Sequence, residues 1–212
     1  MNRILIVDDH TLVRAGLCHL LEGENDMKVV GECGSGHEGV RLCAELKPDV
    51  VLLDYGLPDL DGLEATEQLV ALKNDARVLV LTMHANEEYA IRVIRSGASG
   101  FLIKGASPEQ LLAAIRKVVR GGLYVSPSIQ DKMITRIGKS KTDAPETTLS
   151  NREMQVLLRL ARGANNRETA ESLSLSVSTV ETYRSRLMEK LNCRNNSDLT
   201  RFAIRRGLIG LD

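Results

Sequence analysis

No stretch of this sequence approaches the ~18 consecutive apolar residues of a membrane-spanning helix, which excludes a helical integral membrane protein. Nor is an export leader expected, since Arg3 is followed by only four apolar residues. The four cysteines, Cys18, Cys33, Cys43 and Cys193, make no CxxC pair and show no metal-ligand spacing. Reduced thiols in a cytosolic protein are expected, each a small core residue rather than a reactive one. Net charge is also missing, with 28 basic residues against 28 acidic ones. That balance hides an asymmetry. Residues 1–120 hold 13 Lys and Arg against 18 Asp and Glu, a balance of −5, and the remaining 15 against 10 give +5. The first part therefore suits cation binding and the second a polyanion, although two such halves could also simply attract each other.

What is present is organised around Asp49-Val-Val-Leu-Leu-Asp54, broken by Gly56 and Pro58. A Val- and Leu-rich run bounded by breakers reads as a strand buried on both faces. Arg3–Val7 has the same character and ends on Asp8 and Asp9. Further runs at 27–33, 76–82 and 99–103 alternate with helical patterns. Ser35-x-x-Glu38, Asp61-x-x-Glu64 and Ser107-Pro-Glu-Gln110 fit capping boxes, the last with Pro108 at the first helical position. Gly97 and Gly121-Gly122 mark helix ends. Five strands alternating with five helices predict an α/β domain with a parallel sheet covered on both faces.

Parallel strands place all their carboxyl ends on one rim, so Asp8, Asp9, Asp54, Thr82 and Lys104 should share a pocket. Three converging carboxylates repel one another and offer hard oxygen ligands, which suits Mg²⁺. Asp54 could then act as a nucleophile toward phosphorus, with Asp8 and Asp9 holding the ion. Lys104 would supply a mobile positive charge, and the Thr82 hydroxyl a hydrogen bond to a phosphoryl oxygen. Each residue alone reads equally as a polar strand end; four ends in agreement carry the inference. His10 and His84 border the pocket but are not expected to bind metal, because an oxygen-lined Mg²⁺ site has no use for imidazole. His19 and His37 fall in helical patterns as surface or half-buried residues.

Ile-Val-Asp-Asp9, Leu-Leu-Asp54-x-Gly-Leu-Pro58-x-x-Asp-Gly62, Leu-Thr82 and Gly100-Phe-Leu-Ile-Lys104 resemble the receiver domain of two-component response regulators. The resemblance covers residues 1 to about 120. It implies a flavodoxin-like, doubly wound five-stranded sheet of order 2-1-3-4-5. It further implies that Asp54 accepts a phosphoryl group from a histidine kinase. Asp9, Asp54 and the Gly56 carbonyl would bind Mg²⁺, with Asp8 acting through water, and Thr82 and Phe101 would form a switch pair. Leu57 stands where Met is usual and Phe101 where Tyr is commoner, so the switch has no phenol hydroxyl.

Past Gly122, Ile129, Met133, Ile134 and Ile137 fall at helical spacing, and 138–148 is polar with Pro145. The expected organisation is a domain at 1–121, a linker with a short amphipathic helix at 122–147, and a second domain at 148–212. Ser150-x-x-Glu153, Asn165-x-x-Glu168 and Ser178-x-x-Glu181 predict helix starts, and a fourth helix is expected over 197–206. Two short helices joined by a tight turn make a helix-turn-helix. In its second helix Val180, Tyr183, Leu187 and Leu191 should face inward. Glu181, Thr182, Ser185, Arg186 and Glu189 then form a free face, flanked by Arg184 and Lys190. That face suits the major groove with cations on phosphates, or is merely solvated.

Leu149-Ser-x-Arg-Glu153, Leu160-Ala-x-Gly163-x-x-Asn166-Arg-Glu-x-Ala170, Ser178-Thr-Val180 and Lys190-Leu191 resemble the LuxR-type DNA-binding domain. Joined to a receiver, they are similar to the NarL/FixJ class. The resemblance implies Arg167, Thr179 and Arg184 near the DNA backbone and Glu181, Thr182 and Ser185 toward bases, with Arg186 and Lys190 among the DNA-binding residues. Glu181 could read a cytosine or close a capping box, and the cap is favoured. A cytoplasmic bacterial regulator is implied, not an enzyme beyond its own phosphorylation and dephosphorylation. Its partners would be a sensor kinase and inverted half-sites on duplex DNA, RNA polymerase being a further candidate. It would be a homodimer when phosphorylated, with no membrane contact. An Asp-nucleophile phosphohydrolase of the haloacid dehalogenase kind is disfavoured, since Asp8 and Asp9 are adjacent rather than spaced D-x-D. A receiver serving as a phosphorylation-independent partner module is disfavoured by the complete acidic set.

Overall fold

The computed structural model describes residues 1–83, 87–131, 149, 151–173, 175–206 and 208–209. His84, the apolar positions 133, 134 and 137, the polar tether 138–148 and the expected cap Ser150 lie outside the described residues. Two compact units emerge, Met1–Ile134 and Thr135–Asp212.

In the first unit, strands β1 (Asn2–Val7), β2 (Met27–Cys33), β3 (Val50–Asp54), β4 (Arg77–Thr82), β5 (Gly100–Ile103) and β6 (Tyr124–Val125) form one sheet in the order β2-β1-β3-β4-β5-β6. Every pairing is parallel. Helices α1 (Thr11–Glu22), α2 (Gly36–Leu46), α3 (Gly62–Ala71), α4 (Glu87–Arg95) and α5 (Pro108–Val119) alternate with these strands. Successive strand residues point to opposite faces, so β1, β3 and β4 must be apolar throughout if helices cover both. They are. Ile4, Ile6, Val50, Leu52, Leu79 and Leu81 pack against Leu111, Leu112, Ile115 and Val118 of α5, with Leu17 and Leu20 of α1 beside them. Leu5, Val7, Val51, Leu53 and Val80 are equally buried, and α2, α3 and α4 pack on β1, β4 and β5. Burying each such side chain contributes about 1.5–3 kcal/mol.

The sixth strand corrects the expected five. Two residues carry no periodicity, so only the open edge of β5 selects them. Tyr124 N donates to Ser99 O, Ser126 N to Phe101 O, and Ile103 N to Ser126 Oγ. Residues 122–131, read from sequence as the start of the tether, therefore begin by packing on this unit, where Val125 and Ile129 are buried.

The second unit holds α6 (Asn151–Ala161), α7 (Asn166–Ser172), α8 (Val177–Lys190) and α9 (Asn196–Arg205) among its described residues. Leu157, Leu160, Ala170, Val180, Leu187, Leu199 and Phe202 close its core. Asn165 and Glu168 complete a reciprocal capping box. The start of α8 departs from expectation. Ser176, not Ser178, is its cap, accepting from Thr179 N at 3.1 Å. Several serines in 172–178 could cap equally well by composition, and only the observed backbone chooses among them.

Candidate functional site

The switch in winding direction between β1 and β3 opens a crevice at their carboxyl ends, the place where such sheets take ligands. Val7 pairs with Leu53, Asp54 with Leu81, and Thr82 with Ile103, so the residues that end or follow these strands lie on one level. The expected side chains meet there. Asp8 and Asp54 are buried, and Lys104 Nζ lies 2.8 Å from Asp8 Oδ2 and 2.9 Å from Asp54 Oδ2. Only 7% of the Lys104 side chain is exposed. Burial alone would lower its pKa, but the bonds to Asp54 and Asp8 outweigh that and hold the ammonium charged. Burial pushes the Asp54 carboxyl above its ordinary range; Lys104 and the Gly56 amide offset this only in part, and the nearby Asp8 adds to it. Thr82 is buried at the end of β4, and Phe101 on β5 is buried completely.

Three carboxylates against one ammonium leave an excess of −2 in a confined space. Asp8 Oδ2, despite its contact with Lys104, lacks a well-directed hydrogen bond. Hard oxygens with spare lone pairs and an excess of two charges fit a divalent cation such as Mg²⁺. Asp8, Asp9 and Asp54 bring ligand atoms within 4.8 Å of one another, and so does a fourth residue, His10. The sequence places His10 only at the border of the pocket. Its Nδ1 in fact lies 2.7 Å from Asp9 Oδ1, 3.3 Å from Asp8 Oδ1 and 3.9 Å from Asp54 Oδ2. Adjacency to Asp9 is the one signal the sequence offers, because the extended backbone at position 10 decides where the ring points.

The loop after Asp54 is clamped. Gly56 N donates to Asp54 Oδ1 at 3.2 Å, Tyr55 N to Leu81 O at 2.8 Å and Gly62 N to Tyr55 O at 3.0 Å. A Cβ at Gly62 would lie 2.6 Å from Tyr55 Cα, and one at Gly36 would lie 2.7 Å from Leu60 Cβ, so neither position admits a side chain. Asp61 caps α3. Asp59 reaches the amino end of α2 instead, accepting from Gly36 N (2.9 Å), His37 N (3.1 Å) and Ser35 Oγ (2.7 Å). No local spacing announces this, because the donors lie more than twenty residues upstream. Burial alone would raise the Asp59 carboxyl, but these donors hold it below the ordinary range. A depressed carboxylate stabilises the fold above its unfolded pKa, and that stability disappears as pH falls through the folded value. Asp59→Ala is expected to cost about 1–2 kcal/mol at neutral pH, and less in acid. Urea unfolding at both pH values checks this; equal midpoints for variant and wild type would mean the tie is idle.

In the second unit α8 presents the expected face. Glu181, Thr182, Ser185, Arg186 and Glu189 are exposed or half-exposed, while Val180, Leu187 and Leu191 are buried and Tyr183 is half-buried. With Ser176 as the cap, Glu181 is the fifth helical residue and cannot close the helix, so the favoured capping role is corrected. Thr182 Oγ1 donates to Ser178 O, and the Thr179 hydroxyl contacts Ser176 Oγ at 2.7 Å. Arg167 is exposed and pairs with Glu171 at 3.2 Å, an exposed pair of little energetic weight.

Two flanking cations are engaged inside the unit. Arg184 Nε donates to Asn196 Oδ1 at 2.8 Å, pinning α8 to the start of α9. Lys190 Nζ lies 2.8 Å from both oxygens of Glu153, whose side chain is only 4% exposed. The sequence points Lys190 toward DNA; the structure shows that it also pairs with Glu153 of α6, a carboxylate taken out of water and favoured by a nearby cation.

Comparison with known proteins agrees with this architecture. Residues 4–116 match the response regulator receiver domain, and residues 147–203 match the bacterial regulatory proteins of the luxR family. The chain is 40% identical over 209 residues to the response regulator UvrY of Escherichia coli (strain K12), covering 98% of this chain and 96% of UvrY. It is 37% identical over 210 residues to the response regulator GacA of Pseudomonas aeruginosa, covering 99% and 98%. Among solved structures, RcsB from Salmonella enterica serovar Typhimurium, bound to promoter rprA in the presence of phosphomimetic BeF3−, shares the fold. Its TM-score is 0.75 at 24% identity, covering 95% of this chain and 97% of that one.

Proposed function

Because the chain belongs to the NarL/FixJ class of two-component response regulators, we propose that Asp54 takes a phosphoryl group from a histidine kinase and that this event governs DNA binding through α8. The observation that carries the reading is the Asp8–Lys104–Asp54 contact, a buried ion-paired nucleophile at the sheet's switch point. Asp8, Asp9 and Asp54 would hold Mg²⁺, joined by the Gly56 carbonyl. When bound, the ion neutralises charge on the phosphoryl oxygens.

An Asp54 oxygen attacks phosphorus as the P–N bond of a phosphohistidine breaks, and the departing imidazole takes up a proton. Lys104 follows the charge. Once an Asp54 oxygen is esterified, the ammonium loses one carboxylate partner and gains phosphoryl oxygens, while the Thr82 hydroxyl donates to another. The chain's role is regulation of transcription; the only chemistry proposed for it is transfer to Asp54 and hydrolysis of that acyl phosphate. Among the described residues no helix is long and apolar enough to cross a membrane, and the proposed regulator acts in the cytoplasm. A homodimer on inverted half-sites is the expected DNA complex, with RNA polymerase a further partner.

The test is DNA binding by the full chain, using a duplex enriched from a random pool, with and without acetyl phosphate and Mg²⁺. Affinity should rise at least about tenfold of the ~10⁴-fold that a complete two-state switch allows. Identical affinity in both conditions would sink phosphorylation control. Arg186→Ala is the cleaner test of the α8 face, because Arg184 also braces α9. It should weaken binding at all sequences alike and reduce the salt slope by about 1. An unchanged slope would remove Arg186 from the phosphates.

A further inference from the structure

We infer that Arg14 of α1 is a positioning residue for the acidic pocket, its guanidinium fixing the peptide that joins Asp8 to Asp9. This rests on the reading of the pocket as a Mg²⁺ site and adds a residue that acts on it only through Asp8 and Asp9. Asp8 lies just past the last pairing of β1 with β2 and β3. Its amide still reaches β2, donating to Cys33 O at 3.0 Å, but its carbonyl accepts from Arg14 Nη1 at 2.7 Å. A peptide group is planar, so holding that oxygen fixes the direction in which the chain enters Asp9. The Asp8 carboxylate is held as well, its Oδ1 accepting from His10 N at 2.9 Å. Amide, carbonyl and carboxylate of Asp8 are each tied, and Arg14 supplies the tie that aims Asp9.

The other contacts of this side chain are poor, although only 17% of it is exposed. Nε stands 3.9 Å from Glu32 Oε2 and is buried without a hydrogen-bond partner, and Nη2 is 3.5 Å from Thr11 Oγ1. Those lengths lie at or beyond the limit of a useful hydrogen bond. A guanidinium largely removed from water with an orphaned donor is costly to hold, and its one short side-chain bond goes to the Asp8 carbonyl. The neighbouring chain makes room for it. A Cβ at Gly34 would lie 3.3 Å from Arg14 Nη1 and 3.7 Å from both Asp8 O and Asp9 Cα. Gly34 therefore lies against the same peptide, and its lack of a side chain leaves the guanidinium its place. Groups that orient metal-binding side chains without touching the ion change affinity by about 10–100-fold.

The probe is Mg²⁺ alone, titrated into the full chain by calorimetry, with the Asp9 amide followed in ¹H–¹⁵N spectra. Arg14→Met keeps the bulk of the side chain but removes every donor, and should weaken Mg²⁺ binding about tenfold. Its Asp9 amide should be displaced even before the ion is added. Glu32→Gln removes the weak tie to β2 without touching Asp8, and should bind Mg²⁺ as the wild type does. Urea unfolding confines the comparison to folded chains. Should Arg14→Met not fold, Gly34→Ala takes its place, because it crowds Nη1 while leaving Arg14 intact, and its affinity should fall too. Wild-type affinity or an undisplaced Asp9 amide in whichever of these two is used would overturn the assignment. An equal loss in Glu32→Gln would overturn it as well, since docking of α1 would then be the cause. In each case the cation site would stand. A wild-type chain that binds no Mg²⁺ would overturn the cation site and this inference together.

Discussion

Asp54→Asn is expected to eliminate phosphate incorporation from acetyl phosphate, measured by intact-mass spectrometry of the full chain. An amide oxygen is too weak a nucleophile to displace a leaving group from phosphorus, and no steric change accompanies the loss. The same variant should be at least as stable as the wild type, which separates lost chemistry from lost fold. Asp54 is a carboxyl whose folded pKa lies above its ordinary value, chiefly through burial. Such a group favours the fold when protonated and disfavours it once pH rises past the folded value. A neutral amide removes that penalty at neutral pH, and Lys104 retains Asp8 at 2.8 Å. Urea unfolding above pH 7 should therefore give an equal or higher midpoint for the variant. Wild-type labelling of Asp54→Asn would exclude Asp54 as the acceptor.

Lys190→Ala carries the second large effect, and it falls on stability. Removing the ammonium takes from Glu153, almost completely buried, a cation that lies 2.8 Å from both its carboxylate oxygens. Loss of one partner from a fully buried pair costs about 3–5 kcal/mol; with 37% of the Lys190 side chain exposed, about 2–3 kcal/mol is expected. For a unit of this size that lowers Tm by roughly 10 °C or more. Combining it with Glu153→Gln should restore much of the loss, because the buried carboxylate charge that Lys190 offsets is then removed as well. Calorimetry of the single and double variants checks both statements. An unchanged Tm in Lys190→Ala, together with a shallower salt dependence of DNA binding, would return Lys190 to the phosphate backbone where its position in the sequence puts it.

The first five strands and the pocket are legible because their signals are local. Val50–Leu53 is uninterrupted and apolar because helices cover both faces of β3, and a parallel sheet brings its carboxyl ends to one rim whatever the details of packing. Asp8, Asp54 and Lys104 can be placed together on that argument alone. Ser107 and Asn165 likewise announce their helices, since cap and partner lie three residues apart. Legibility fails where the partner is distant or one of several equivalents. Asp59 finds its donors on α2, Lys190 its carboxylate on α6, and β6 exists only because β5 has an open edge. Nothing in the spacing of 172–181 chooses Ser176 over Ser178.

By itself the sequence determined the sheet, the amphipathic helices and the acid-rich rim, because each follows from backbone periodicity and the cost of burying polar groups. Tertiary structure alone decided which charges also hold the molecule together. Lys190 and Arg184 are paired with groups elsewhere in the chain, Glu181 is released from capping to face outward, and His10 is turned onto the acids. Ion pairing and hydrogen bonding depend on where side chains come to rest, and that placement is set by packing between elements that the local sequence does not see.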